Sequence, residues 1–136
     1  MVIYASGSRS LATLEMIVRR SAIIPLLKYK MMVIFLTEEA SSIRQIRIND
    51  LPDNWRTMAG MMALQDIGAI WYDSRESLVL KVPSVVVPQE FNYVINAKHP
   101  LFSKNVRLVR VEEYFWDGVI FDSGYSIGVL VTDGVL

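Results

Sequence analysis

Two segments of the chain repeat apolar residues at helical spacing. Four of them lie on one predicted face of the first segment: Leu11, Leu14, Ile17 and Val18. Ser8 precedes this stripe and is a preferred type of N-cap residue, so the pattern predicts a helix that ends near Arg20. A second helix is predicted over residues 56–71, although Gly60 and Gly68 lower the helical propensity there.

Other segments carry the continuous or alternating apolar runs of β-strands. They are residues 2–5, 31–36, the region of Ile43, Ile46 and Ile48, and residues 77–87, 91–95 and 106–113. The run 77–87 has a break at Pro83-Ser84, and residues 49–54 have the composition of a turn. Because no repeat or linker divides the chain, the pattern predicts a single strand-rich α+β domain with a mixed sheet and two main helices.

The composition excludes several classes of protein. The chain has 136 residues, 52% of them hydrophobic, which is enough for one domain core. Fourteen basic residues balance fourteen acidic ones, so neither nucleic-acid binding nor a polybasic membrane patch is expected. The absence of cysteine excludes disulfides and thiol catalysis, and is compatible with the cytoplasm. His99 is the only histidine and stands in a turn-like His-Pro pair, so no metal site is expected.

Two segments are candidates for a membrane signal, the N-terminus and the longest apolar stretch. The N-terminus lacks the basic and apolar stretches of a signal peptide. The longest apolar stretch, residues 21–37, carries Lys28 and Lys30 near its centre and is interrupted by Pro25. A membrane span needs about 20 mostly apolar residues, so this stretch is interpreted as core segments around a loop.

Three methionines fall on the second predicted helix: Met58, Met61 and Met62. Methionine fills gaps in cores, and it also forms surfaces that repack against a partner. The sequence leaves both roles open, and the second would make this helix a dimerisation surface in a homo-oligomer.

Three residues are candidates for chemistry, each with a plainer alternative. Glu15 lies beside the apolar stripe, where a fixed carboxylate could stabilise developing positive charge; the alternative is a solvated ion pair with Arg19. Tyr4 lies on the first strand and could simply fill the core. Ser84 lies at the strand break, where its hydroxyl could bond a ribose or phosphate oxygen or serve an ordinary turn.

One family accounts for most of the pattern between residues 64 and 100. The matching positions are Gln65, Ile67-Gly68, Trp71, Ser74, Leu80, Val82-Pro83-Ser84, Pro88, Glu90, Asn92, Ile95-Asn96 and His99-Pro100. A second block near the start comprises Ile3-Tyr4-Ala5-Ser6, Leu11-Ala12 and Leu14-Glu15, and Leu51-Pro52 and Trp55 follow in order. Over residues 2–122 the sequence resembles the RES domain of bacterial toxin–antitoxin pairs.

The resemblance implies a chemistry that composition does not. RES domains are toxins that degrade NAD, with a fold similar to that of ADP-ribosyltransferases. It implies Glu15 as the catalytic carboxylate and Tyr4 and Ser84 as residues of the NAD pocket. NAD would be the substrate, no prosthetic group would be needed, and water or phosphate would be the acceptor. The partner would be a cognate antitoxin that covers the cleft, and the location would be the cytoplasm.

The match weakens at both ends. The family carries a further segment before the Tyr-Ala-Ser motif, with arginines for the NAD diphosphate, and neither Arg9, Arg19 nor Arg20 aligns with them. Weak NAD binding and slow nicotinamide release are therefore expected. The alternative function is that of a catalytically degenerate domain that only binds an antitoxin. Residues 1–122 are assigned to the RES-like domain and residues 123–136 to a divergent tail. If the strand before Val2 is missing, one sheet edge should carry unpaired backbone groups, or be covered by a subunit or by a replacement strand from the apolar run around Val129.

Overall fold

The computed structural model describes residues 1–19, 29–37, 42–113 and 127–132. Its strands are β1 (Val2–Ser6), β2 (Tyr29–Leu36), β3 (Ile43–Gln45), β4 (Val79–Pro83), β5 (Phe91–Asn96), β6 (Val106–Glu113) and β7 (Ile127–Thr132). Its helices are α1 (Arg9–Arg19), α2 (Met58–Ser74) and α3 (Phe102–Asn105), and a 3-10 turn covers Ile48–Asp50. The predicted α+β class is confirmed.

The described strands form one mixed sheet in the order β3-β4-β5-β1-β7-β2-β6. The pairs β4–β5, β5–β1 and β2–β6 are antiparallel, and β3–β4, β1–β7 and β7–β2 are parallel. β7 pairs with β2 along its length and meets β1 at Ser6–Val131. Residues 127–132 of the predicted tail therefore supply a strand beside β1, but this strand lies inside the sheet, between β1 and β2, and not at an edge.

The core occupies both faces of this sheet. One cluster brings Ile34 and Leu36 of β2 together with Val79 of β4 and Ile95 of β5. In the strand order β2 lies three positions from β5, which is about 14 Å at the usual spacing of neighbouring strands. Leu78, Leu101 and Phe102 belong to or pack against the same cluster, so residues from outside the strands help to connect them. On the other face, Trp71 of α2 packs in a second cluster against the sheet.

The orientation of α1 decides the environment of Glu15. The Ser8 Oγ accepts a hydrogen bond from the Leu11 backbone N–H at 3.1 Å, which confirms the predicted N-cap. The helix buries Leu11, Ala12 and Glu15, whereas the rest of the predicted apolar stripe (Leu14, Ile17 and Val18) is exposed. The stripe was therefore a poor guide to the buried face, because the side that packs on the sheet includes a carboxylate.

Helix α2 has an N-cap side chain at its start and ends at a residue whose backbone lies in the left-handed region. The Thr57 Oγ1 accepts from the Gly60 N–H at 3.2 Å, and Arg75 ends the helix with a φ of 53°. Near that end Trp71 is fully buried, and its indole N–H donates to the Ser77 Oγ at 2.7 Å. This packing fixes α2 over the sheet and forms one wall of the cavity described below.

Several other predicted segments can be compared with the described residues. Ile48 belongs to the 3-10 turn rather than to a strand. Met58, Met61 and Met62 are exposed, so these methionines do not fill the core. Most of the apolar stretch 21–37 before Tyr29 lies outside the described residues. Within the described ranges, no helix has the length and apolar character to span a bilayer, and no group of three metal-ligating side chains occurs.

Candidate functional site

Glu15 is buried and hydrogen-bonded on the sheet face that α1 covers. Its side chain is 8% exposed. One carboxylate oxygen, Oε1, accepts from the Ser84 hydroxyl at 2.7 Å and from the Asn92 side-chain amide at 2.5 Å. The predicted alternative, a solvated ion pair with Arg19, does not fit this burial, and the Arg19 side chain lies outside the described residues. Glu15 is thus a carboxylate held in a fixed position.

The hydroxyl of Ser84 uses its full hydrogen-bonding capacity within the protein. A hydroxyl has one donor and two acceptor sites. The Ser84 Oγ accepts from the backbone N–H groups of Val86 and Val87 at 3.0 Å each, so its proton is directed to Glu15. Ser84 is fully buried. In this arrangement Ser84 holds Glu15, and a bond to a ribose or phosphate oxygen would require it to release one of these partners.

Asn92 links Glu15 to the first strand. Its Nδ2 donates to Glu15, and its Oδ1 accepts from the Ser6 hydroxyl at 2.6 Å. Ser6 and Asn92 are direct partners in the β1–β5 ladder, so the strand register brings the two side chains together on one face. The result is a continuous series of side chains, Ser6–Asn92–Glu15–Ser84, drawn from β1, β5, α1 and the segment that follows β4.

A cavity of about 530 Å³ lies next to this series, between α2 and strands β1, β4 and β5. Its wall includes Asn92 and the two neighbours of Ser84 in the chain, Pro83 and Val85. Tyr4, which is 58% exposed, lines it from β1. The volume is within the range of small-molecule sites, which are typically about 300–1,000 Å³.

The cavity wall is apolar and aromatic with a few amides. Tyr4, Trp71 and Tyr72 supply aromatic rings, and Gln65 and Asn92 supply polar side chains. Of the described residues that line the cavity, none is a lysine, arginine, aspartate or glutamate. A Cβ added at Gly68 would meet no atom within 4 Å, so this part of α2 faces open space. The cavity suits a neutral planar group better than a phosphate.

The basic residues near the start of α1 are engaged elsewhere. Arg9 donates two hydrogen bonds to Glu112 of β6, from Nη2 at 2.7 Å and from Nε at 2.9 Å, and Arg110 adds a third at 2.8 Å. The bonds from Arg9, followed by those from Arg110, lower the pKa of Glu112 from 4.5 to about 2. This cluster ties the first turn of α1 to the sheet, and it occupies the Arg9 guanidinium.

The structure brings two of the three predicted site residues into contact. Glu15 and Ser84 share a direct hydrogen bond. Tyr4 lies on the cavity wall, and Asn92 lies on the same wall while also donating to Glu15. Asn92 is one of the positions that match the family, but the residues around it in the sequence do not indicate its bond to Glu15. Ser6 was not predicted as a site residue. Its position two residues after Tyr4 on a strand, and thus on the same face, was the signal that could have identified it.

Comparison with known proteins gives a consistent result. The sequence model of the RES domain matches residues 1–117. A relative named Prs ADP-ribosylating toxin, from Sphingobium sp. (strain YBL2), is 32% identical over 117 residues, covering 85% of this chain and 72% of the relative. Toxin Res of Yersinia enterocolitica is 34% identical over 115 residues, covering 85% and 74%. Toxin Res of Photorhabdus laumondii is 30% identical over 108 residues, covering 79% and 68%.

The family match spans both sequence blocks that carried the resemblance, and Tyr4, Glu15, Ser84 and Asn92 lie within its range. The extent of the family match and the identity to relatives of which the chain covers more than two thirds leave one assignment. The chain belongs to the RES domain family.

Proposed function

We propose that this chain is a toxin-type domain that degrades NAD by cleaving the bond between nicotinamide and ribose, with water or phosphate as the acceptor. The observation that carries the proposal is the buried Glu15 carboxylate, which Ser84 and Asn92 hold in place, together with the position of Asn92 on the wall of a cavity of about 530 Å³. The toxin names of the relatives from Yersinia enterocolitica and Photorhabdus laumondii support a toxin role.

In the proposed reaction, Glu15 stabilises charge that exists only in the transition state. When the C1′–N1 bond breaks, its electron pair stays with the nicotinamide nitrogen, which loses its positive charge. Positive charge develops on C1′ and its ring oxygen. A preorganised carboxylate lowers the energy of this cation without having to reorient during the reaction, which is the most effective form of electrostatic catalysis. An oxygen of water or phosphate then bonds to C1′, and water gives up a proton.

The surrounding residues have distinct proposed roles. Ser84 and Asn92 hold the Glu15 carboxylate, since their hydrogen bonds fix Oε1 from two directions. Tyr4 forms part of the wall against which a planar ring of NAD would pack, through its aromatic face. The described part of the wall has no cationic side chain, so the diphosphate would lie outside the cavity.

The name of the Sphingobium relative, an ADP-ribosylating toxin, favours a second candidate in which the acceptor is a protein side chain. Both reactions share the first step, loss of nicotinamide, and the same role for Glu15. They differ in the product that carries ADP-ribose. We also propose that a cognate antitoxin binds over the cleft and that the protein acts in the cytoplasm, where NAD is abundant.

The test is a product analysis with purified chain and NAD, read by NMR and mass spectrometry. The proposal predicts free nicotinamide together with ADP-ribose, or with ADP-ribose 1″-phosphate when phosphate is present. Glu15→Ala should abolish the release of nicotinamide. The control is Glu76→Ala, which removes an exposed glutamate in the segment that precedes β4. ADP-ribose found only on an added protein would favour the second candidate. Absence of nicotinamide release under all conditions, with antitoxin binding retained, would establish the catalytically degenerate domain instead.

A further inference from the structure

The orientation of the Asn92 amide is determined by two neighbours. An ionised carboxylate only accepts hydrogen bonds, so the Asn92 group that faces Glu15 Oε1 must be the N–H donor. The opposite oxygen, Oδ1, faces the Ser6 hydroxyl, which can therefore only donate to it. The second bond thus holds the amide in the orientation that the first requires.

We propose that Ser6 is a positioning residue: its hydroxyl locks the Asn92 amide so that Asn92 donates to the Glu15 carboxylate. Ser6 is 5% exposed, whereas Asn92 is only partly buried and borders the cavity. The proposal rests on the proposed function for its catalytic consequence. The lock itself is a property of the protein without substrate.

The physical reason is the cost of the flipped amide. In the structure, Asn92 Nδ2 lies 2.5 Å from Glu15 Oε1. If the amide rotates by half a turn, Oδ1 takes the place of Nδ2 and faces Oε1 at about the same distance. Two acceptors at that distance repel each other, so Glu15 would have to move or lose this support. Glu15 sets the orientation of the amide, and the Ser6 bond keeps the Asn92 side chain within reach of Glu15, because moving it away would also break the bond from the Ser6 hydroxyl, whose place is fixed by the β1–β5 ladder.

Water cannot easily replace Ser6. Its side chain is buried, and removal of its oxygen leaves Asn92 Oδ1 without its described partner. An uncompensated hydrogen bond of this kind changes an equilibrium by about 1 kcal/mol, which corresponds to roughly a 5-fold to 10-fold change. Removal of the Ser6 hydroxyl should therefore lower the fraction of molecules in which Asn92 donates to Glu15 by a factor of this size.

The kinetic experiment compares Ser6→Ala with Ser6→Thr in nicotinamide release from NAD. Ser6→Ala should lower kcat about 5-fold to 10-fold and leave KM unchanged, because Ser6 is not among the residues that line the cavity. Ser6→Thr keeps the hydroxyl and should restore most of kcat. Thr57→Ala, which removes the α2 N-cap far from Glu15, controls for a general loss of stability of about 1 kcal/mol.

A spectroscopic readout separates the lock from the proposed function. In protein labelled with ¹⁵N, the Asn92 side-chain amide protons should be protected from exchange in the wild type and in Thr57→Ala, and should exchange measurably faster in Ser6→Ala. If the wild type releases no nicotinamide, the proposed function fails and the amide exchange alone decides on the lock. Equal protection of the Asn92 amide in wild type and Ser6→Ala would overturn the proposal, as would an equal fall of kcat in Ser6→Ala and Thr57→Ala.

Discussion

The two glycines of α2, Gly60 in its first turn and Gly68 in its interior, should respond in opposite ways to the same substitution. A Cβ at Gly68 would meet no atom within 4 Å, because Gly68 faces the cavity. A Cβ at Gly60 would lie 2.2 Å from the Asn54 carbonyl oxygen and 2.5 Å from the Trp55 Cα. Both contacts are with backbone atoms, which cannot move aside as a flexible side chain does. The two positions are thus a matched pair on one helix.

The expected magnitudes follow from these surroundings. Alanine in a helix interior is favoured over glycine by about 0.5–1 kcal/mol, so Gly68→Ala should stabilise the protein by that amount. Gly60→Ala receives the same gain in propensity but must displace the backbone near Trp55. Overpacking of this kind costs about 1–3 kcal/mol or more, so the net effect should be destabilising.

Urea unfolding measured by tryptophan fluorescence gives the free energy of unfolding of both variants, since Trp55 and Trp71 are buried and report on this region. The account predicts a higher midpoint for Gly68→Ala and a lower one for Gly60→Ala, with similar slopes. A lower midpoint for Gly68→Ala would mean that the cavity is filled by protein atoms in solution, and the site described above would be refuted.

Three further predictions concern single side chains. Ser84→Ala should lower kcat for nicotinamide release about 10-fold and lower the urea midpoint, because it removes a donor to Glu15 and the acceptor of two backbone N–H groups; unchanged kcat would show that Ser84 does not hold the carboxylate. Asn105→Leu should raise the free energy of unfolding by about 1–2 kcal/mol, because both polar atoms of the buried Asn105 side chain have no hydrogen-bond partner among the described residues; a loss of stability would contradict this. Glu112, whose pKa Arg9 and Arg110 lower from 4.5 to about 2, binds its proton more weakly in the folded than in the unfolded state. The contribution of its ion pairs to the free energy of unfolding should therefore be complete above about pH 5 and be lost as the pH falls to about 2. The difference in free energy of unfolding between wild type and Glu112→Gln should narrow over that interval. A difference that stays constant would contradict the ion-pair assignment.

The sequence predicted the elements better than the faces they bury. The Ser8 cap, β1 and β6 follow from local patterns, and the structure contains them with bounds close to those predicted. The buried side of α1 could not be predicted from the same periodicity, because burial of Glu15 is compensated by Ser84 and Asn92, which lie 69 and 77 residues away. Such compensation depends on tertiary contacts that no local pattern contains.

The candidate site shows the same limit. The family resemblance named Glu15, Tyr4 and Ser84, but the role of Ser84 as a support for Glu15 required its three hydrogen bonds. Ser6 depends on the register of β1 against β5, since a shift of one residue would turn it to the opposite face. The cavity depends on how α2 lies over the sheet. Neither the spacing of apolar residues along α2 nor the presence of its glycines predicted an open space at Gly68.

The central claim is that the Glu15 carboxylate carries the cleavage of NAD, and the most direct test is nicotinamide release by wild type and Glu15→Gln. Glutamine keeps an oxygen that can accept from Ser84 and Asn92, so it removes the charge with little change in shape. The account predicts that Glu15→Gln folds with near-normal stability and releases nicotinamide about 100-fold to 1000-fold more slowly, as expected for loss of one preorganised electrostatic group. Equal rates for the two proteins would contradict the account.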